Sequence, residues 1–206
     1  MRALGIFVKA PIPGRVKTRL AEDIGPSGAA EVYWRLGRQV VGSTTGAGHR
    51  TTVWFTPPGE AAFVREWLDG AGGGRVAFRP QVGASLGDRL AHAFAREFTE
   101  GAQRVVLIGS DCPGADRRIV ADAFRALGGH DVVLGPALDG GFYLIGLTAP
   151  QPALFRGVSW STAAVAVQTR TRARALGLSC HVLRPLRDVD TALDARVLGL
   201  LESREI

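Results

Sequence analysis

At 206 residues, 46 % of them hydrophobic and 21 % charged, the chain is long enough to bury one sizeable core and short for two domains, so residues 1–206 are read as one. The net charge of +6 raises nucleic acid as a partner, but few aromatics stand among the arginines and no helix-turn-helix, RNA-recognition or zinc-finger pattern occurs, so the charge is assigned to solubility and anionic small molecules. Two scattered cysteines, Cys112 and Cys180, form neither a disulfide framework nor a thiolate cluster; with no span-length apolar run and no secretory signal pattern, the reading is a cytoplasmic protein without a membrane span.

The first apolar run predicts a buried strand over Arg2–Val8, and it opens onto Lys9-Ala-Pro-Ile-Pro-Gly-Arg-Val-Lys-Thr-Arg-Leu20. Both lysines of the chain, Lys9 and Lys17, fall in this stretch. With Arg15 and Arg19 they hang cations on a loop at a strand's carboxyl end, where open α/β sheets bind ligands. Gly14 permits a tight turn, Pro11 and Pro13 stiffen the approach, and the amides opening the next helix can face an anion. The loop suits a polyanion such as a nucleotide diphosphate, a plain solvated basic loop being the alternative. It is not a Walker A loop, since the first glycine and the Gly-Lys-Ser/Thr ending are missing.

Tyr33, Leu36 and Val40 recur at helical spacing, as do Phe63 with Trp67, Leu90 with Phe94 and Phe98, and Leu193 with Val197 and Leu200; each set is expected to face the core. Between them, β-rich runs predict strands at Thr51–Thr56, Arg75–Phe78, Arg104–Ile108, Asp131–Leu134, Gly141–Leu147 and Cys180–Leu183. The alternation is that of a wound α/β sheet. No helix fits between Asp131–Leu134 and Gly141–Leu147, so one antiparallel or irregular pairing is expected to interrupt a mostly parallel order. Gly70 to Gly74 reads as a flexible connection.

Several loops carry candidate chemistry. In Val82-Gly-Ala-Ser-Leu-Gly-Asp-Arg-Leu90, Gly83 and Gly87 lead into a helix, and Arg89 is either a phosphate or base contact or a helix-surface charge. Val105-Val-Leu-Ile-Gly-Ser-Asp-Cys-Pro113 ends a central strand in Asp111. In Arg187-Asp-Val-Asp-Thr191, Asp190 either caps the last helix or ligates a metal; Asp188 competes as a ligand, but strand alternation turns it to the other side. Two carboxylates, Asp111 and Asp190, on the edge that carries the basic loop suit Mg²⁺ or Mn²⁺ bridging a pyrophosphate, since hard cations choose oxygen ligands. Asp139-Gly-Gly141 joins two strands and suits either a backbone passing close to a ligand or a hairpin turn. His49, His92, His130 and His181 form no ligand spacing, Arg170, Arg172 and Arg174 fan around a helix, and Trp160 reads as packing.

Lys-Ala-Pro-x-Pro-Gly-Arg-x-Lys-Thr-Arg-Leu at 9–20, Leu-Gly-Asp-Arg at 86–89, Gly-Ser-Asp-Cys-Pro at 109–113, Asp-Gly-Gly-Phe-Tyr-Leu-Ile-Gly-Leu at 139–147, Trp-Ser-Thr at 160–162 and Asp-Val-Asp-Thr at 188–191 resemble, in order, the DUF2064 family. That family is also called rSAM/selenodomain-associated transferase 1 or the arsenosugar-biosynthesis glycosyltransferase family, within the nucleotide-diphospho-sugar transferase (GT-A, SpsA-like) superfamily. The resemblance implies a Rossmann-like GT-A fold and a metal-dependent transferase, a glycosyltransferase with a nucleotide-sugar donor and a small-molecule acceptor. Many GT-A enzymes bind metal through Asp-x-Asp, whereas Asp111 stands alone between Ser110 and Cys112. Paired with the distant Asp190, it also resembles the MobA-like and phospholactate guanylyltransferase nucleotidyltransferases, which act on an NTP. On either reading Lys9, Gly14, Arg15, Lys17, Arg19, Gly87 and Arg89 are expected to hold the nucleotide and Asp111 and Asp190 the metal; in glycosyl transfer Asp139 is expected to orient the sugar or take the acceptor's proton. A nucleotide-binding or protein-interaction module without turnover is the non-enzymatic alternative.

Overall fold

In the computed structural model, which describes residues 1–73 and 76–201, seven strands form one sheet. They are β1 (Arg2–Lys9), β2 (Arg50–Thr56), β3 (Val76–Pro80), β4 (Arg104–Gly109), β5 (Val132–Pro136), β6 (Phe142–Leu147) and β7 (Cys180–Val182). The helices are α1 (Thr18–Thr44), α2 (Ala61–Leu68), α3 (Leu86–Thr99), α4 (Arg117–Ala126), α5 (Val165–Ala175) and α6 (Ala192–Val197). Each expected strand is present within two residues at either end, except that Arg75, the expected start of β3, and Gly74 of the glycine run lie outside the described residues.

The sheet order is β3-β2-β1-β4-β6-β5-β7, and β6 alone runs against its neighbours, pairing antiparallel with both β4 and β5. The expected interruption of a mostly parallel sheet is therefore one reversed strand. The other strands share a direction, so the loops after β1, β4, β5 and β7 leave from one edge. From β1 the chain winds outward to β2 and β3, whereas β4 leads the other way. Their adjacent carboxyl ends are a topological switch point, which opens a crevice.

Central strands are apolar on both faces because helices cover both sides. One face packs Leu4, Ile6, Val8, Val106 and Ile108 with Tyr33, Val40, Val41, Trp67 and Phe124 from α1, α2 and α4; the other packs Leu107, Val105, Ile145 and Leu147 with Leu90, Phe94 and Ala173 from α3 and α5. Tyr33, Leu36 and Val40 face inward as their spacing requires, as do Trp67, Leu90 and Phe94, with Phe63 and Phe98 half-buried. Of the set Leu193, Val197 and Leu200, the last packs half-buried against the core as expected, whereas the first two are a correction. Leu193 and Val197 are 65 % and 62 % exposed, and α6 instead buries Ala192 and Ala195, beside Val189, against Leu20, Val32 and Leu36 of α1. The helix covers only Ala192–Val197, six residues, too short to present one face over the expected span.

α1 breaks at Gly25, whose φ of 76° is outside the helical region, and resumes at Pro26. Farther along, Gly37 lets α2 close on α1: a Cβ there would stand 2.2 Å from Cζ2 of Trp67, whose indole is buried. Gly37→Ala should therefore lower stability by about 1–3 kcal/mol through overpacking. Urea denaturation checks this, and an unchanged midpoint would show that Trp67 can shift freely.

Candidate functional site

The β1–α1 loop turns as its composition dictates. Arg15 N–H donates to the Ile12 carbonyl (3.0 Å) while Gly14 takes φ 74°, and Ala10 N–H bonds the Thr56 carbonyl at 2.8 Å, tying the loop's start to the end of β2. Lys17, the N-cap of α1, adopts the left-handed region (φ 48°, ψ 50°) and gives the helix no side-chain cap. Such a conformation is unfavourable for a long side chain and persists where contacts over-determine it.

Those contacts are electrostatic. Lys17 Nζ lies 2.8 Å from Asp111 Oδ1 and 3.0 Å from Asp190 Oδ1, with its side chain only 5 % exposed. Burial works against the ammonium, but the two carboxylates outweigh it and hold its pKa above the ordinary lysine value. Arg19 flanks Asp190 from outside at 3.9 Å. The carboxylates meet because Val189 N–H donates to the Asp111 carbonyl (3.0 Å), stitching the segment after β7 to the end of β4. Asp190 does not cap α6: Thr191 does, its hydroxyl accepting from Asp194 N–H while the Asp194 carboxylate accepts from Thr191 N–H. The Asp190 carboxylate is thereby left for the cleft.

Tyr33 was legible as a core residue of α1, yet its hydroxyl belongs to the site. It accepts from Lys9 N–H at 3.0 Å and lies 2.7 Å from Ser110 Oγ, joining the ends of β1 and β4 beneath Lys17, whose ammonium sits 5.9 Å from the ring centroid. Burial pushes this phenol up to about 12, so it stays protonated near neutrality. A buried tyrosine hydroxyl requires a polar partner, and this was the available signal.

The structure brings Lys9, Arg15, Lys17, Arg19, Asp111 and Asp190 together around a cleft of about 260 Å³. A second cleft of about 280 Å³, lined by Phe7, Leu90, Leu107, Phe142 and Gln81 among others, shares Lys9, Tyr33 and Asp111 with it and is more apolar. Gly14 shapes the loop through its φ and is not a lining residue.

Gly87 and Arg89 line neither of these clefts. A Cβ on Gly87 would stand 2.9 Å from the Phe155 carbonyl and 3.0 Å from the Trp160 indole, so its smallness serves packing of α3. Arg89 Nε donates to the Gly83 carbonyl at 3.1 Å, holding its own loop. Asp139, which is exposed, accepts from Gly141 N–H at 2.8 Å and so caps its hairpin. The space that Gly140 leaves is taken by the chain itself: a Cβ there would lie 2.1 Å from the Ala163 carbonyl oxygen.

Asp188 is nearer the site than strand alternation implied, because β7 ends at Val182 and the segment beyond it is irregular. Its Oδ1 accepts from the buried Cys112 Sγ at 2.9 Å. Burial raises the Asp188 carboxyl to about 6, with Asp139 and Asp111 adding to the rise against the Cys112 hydrogen bond; burial and Asp188 together push the Cys112 thiol far up. The thiol is therefore a donor and not a nucleophile at neutral pH.

Among the described residues no three histidine, cysteine or acidic side chains group as a metal site. Asp111 and Asp190 nevertheless fit a hard divalent cation. Their oxygens converge on one point, Asp111 Oδ1 is buried there with the Lys17 ammonium as its close cation, and one or two carboxylates completed by phosphate oxygens and water is the usual manner of Mg²⁺.

A carboxylic acid whose folded pKa is raised stabilises the fold below its unfolded value and loses that contribution as pH rises through the folded one. In EDTA, unfolding free energy should fall from about pH 4 to past pH 6 through Asp188, and Asp188→Asn should flatten that part of the profile. Parallel profiles for the two proteins would contradict the assignment.

Comparison with curated protein sequences gives no match. Among solved structures, a protein of Desulfovibrio desulfuricans G20 assigned as a nucleotide-diphospho-sugar transferase superposes with TM-score 0.89 and 34 % identity, over 96 % of this chain and 85 % of that one. A nucleotidyl transferase from Methanothermobacter thermautotroptrophicus (TM-score 0.60, 14 % identity, 96 % and 95 % covered) shares the fold, as does a cytidylyltransferase from Leptospira borgpetersenii serovar Hardjo-bovis (0.56, 15 %, 100 % and 89 %). Residues 42–162, more than half of the chain, match a family described as "Uncharacterized protein conserved in bacteria". The chain belongs to that family, DUF2064, and has the nucleotide-diphospho-sugar transferase fold.

Proposed function

We propose that this protein is a cytoplasmic, divalent-metal-dependent transferase acting on a nucleotide-activated substrate, and that it transfers a glycosyl group from a nucleotide sugar to a small-molecule acceptor. The carrying observation is the convergence of Asp111, Asp190 and the four cations between the end of β1 and the first turn of α1 on one cleft at the switch point of the sheet. A diphosphate placed there meets Lys9, Arg15 and Arg19, and the adjoining apolar cleft has the character to take the base or the transferred group. The preference for glycosyl transfer rests on the similarity to the Desulfovibrio protein assigned as a nucleotide-diphospho-sugar transferase.

In this reading Asp111 and Asp190 hold Mg²⁺ or Mn²⁺, which supplies electrostatic stabilisation to the leaving diphosphate. The loop cations bind the same phosphates and orient them, so that charge building on the leaving oxygen falls among fixed donors. Tyr33 holds the ends of β1 and β4 in register beneath them. Asp139 remains the acceptor-side candidate: one oxygen caps its hairpin, and the carboxylate stands exposed to meet an acceptor hydroxyl.

Nucleotidyl transfer is the second reading. It is favoured by the two single aspartates on separate elements in place of Asp-x-Asp, and by a loop with more cations than a diphosphate needs. The bond broken separates the two. Incubation with Mg²⁺, nucleotide sugars and pooled acceptors should release nucleoside diphosphate and no pyrophosphate; pyrophosphate release from an NTP would select the second reading. Release of neither from any donor, with nucleotide still bound, would leave the non-catalytic alternative.

Two substitution sets test the assigned roles. Asp111→Asn and Asp190→Asn should each abolish the strengthening of nucleotide binding by Mg²⁺ in calorimetry, and metal stimulation retained in both would remove the metal role. Arg19→Gln should weaken a nucleoside diphosphate by about 1.5–3 kcal/mol, the worth of a charge-assisted contact, and leave the nucleoside nearly unchanged. Equal weakening of both ligands would mean damage to the fold.

A further inference from the structure

Lys17 is a loop cation of the expected kind, but the structure does not leave it facing an open anion site. Its ammonium is buried between Asp111 and Asp190, at 2.8 and 3.0 Å, from a left-handed backbone position at the start of α1. Lys9, Arg15 and Arg19, on the same cleft, are exposed. The chain therefore places one cation of its own at the point where both carboxylate oxygens converge.

We propose that Lys17 is the built-in counter-ion of the two-carboxylate site, and that a divalent metal takes the site by displacing the ammonium toward the substrate phosphates. The proposal rests on the reading of Asp111 and Asp190 as metal ligands. An ammonium tethered to the same chain competes at high effective concentration, so metal alone should bind weakly. A phosphate group offers the displaced ammonium a second anion, and metal and nucleotide should then strengthen each other's binding, a coupling that is reciprocal. Lys17 thus acts as a positioning residue twice: it keeps two like charges together before loading, and it follows the phosphates afterwards.

Only Lys9 and Lys17 carry ε-ammonium groups, so the exchange can be read directly in the wild-type protein. In ¹⁵N-lysine-labelled protein, the buried Lys17 ammonium should give a slowly exchanging signal, assigned with Lys9→Arg, while the exposed Lys9 exchanges fast with water. Saturating Mg²⁺ should shift or broaden the Lys17 signal. In parallel, Mn²⁺ binding without nucleotide, followed by paramagnetic resonance of the free ion, should tighten about tenfold or more in Lys17→Met. Mn²⁺ bound through Asp111 and Asp190, as shown by its loss in Asp111→Asn and in Asp190→Asn, with the Lys17 signal unmoved would overturn the displacement and leave the metal reading standing. Mn²⁺ binding indifferent to both aspartates would overturn the metal reading and the proposal with it. Should Lys17→Met not fold, the ammonium signal in the wild-type chain decides alone.

Discussion

The site depends on one ammonium held between two carboxylates. Asp111 ends β4 and Asp190 follows β7, and like charges converging on one point repel unless a cation stands between them. Lys17 supplies it, at the cost of burial and of a left-handed backbone at the entrance to α1. Its two ion pairs join three segments far apart in the sequence across one cleft, and the Val189–Asp111 backbone hydrogen bond and the Tyr33 hydroxyl fix the distances around them.

The sheet makes this convergence possible. Reversal of β6 alone keeps β1, β4, β5 and β7 pointing the same way, so every loop with candidate chemistry leaves from the same edge. Apolar burial on both faces then fixes the strand ends rigidly, a good footing for groups that must meet within hydrogen-bonding distance. Around that footing lies a gradient of character, from the cationic cleft of Lys9, Arg15 and Arg19 to the more apolar cleft of Phe7, Leu107 and Phe142. A nucleotide-activated molecule has the same gradient, with charged phosphates at one end and flat or neutral groups at the other.

Much of this was legible in the sequence. Strand-length apolar runs alternating with helical spacings marked the sheet and each of its seven strands, and the clustering of both lysines at the first strand's end pointed to the cleft. What stayed hidden depends on what lies against an element, which periodicity does not record. Leu193 and Val197 have helical spacing, yet α6 turns Ala192 and Ala195 toward α1 and leaves both larger side chains exposed. Gly87 and Gly140 looked like places for a ligand and are filled by Phe155, Trp160 and Ala163 of the chain itself. Asp188 was turned away by an alternation that no longer applies beyond Val182, and its contact with Cys112 spans most of the second half of the protein. Lys17 was legible as a cation at the same sheet edge as Asp111 and Asp190, but that its ammonium is buried between their carboxylates depends on packing in three dimensions.

The most direct measurement is a crystal structure of the protein with Mn²⁺ and a nucleoside diphosphate, with the ion located by anomalous scattering. The expected result is one peak bridging Asp111 and Asp190, the phosphates on the β1–α1 loop, and Lys17 Nζ moved from between the carboxylates onto a phosphate oxygen. A nucleotide bound elsewhere, or an ion that leaves both carboxylates untouched, would contradict the account.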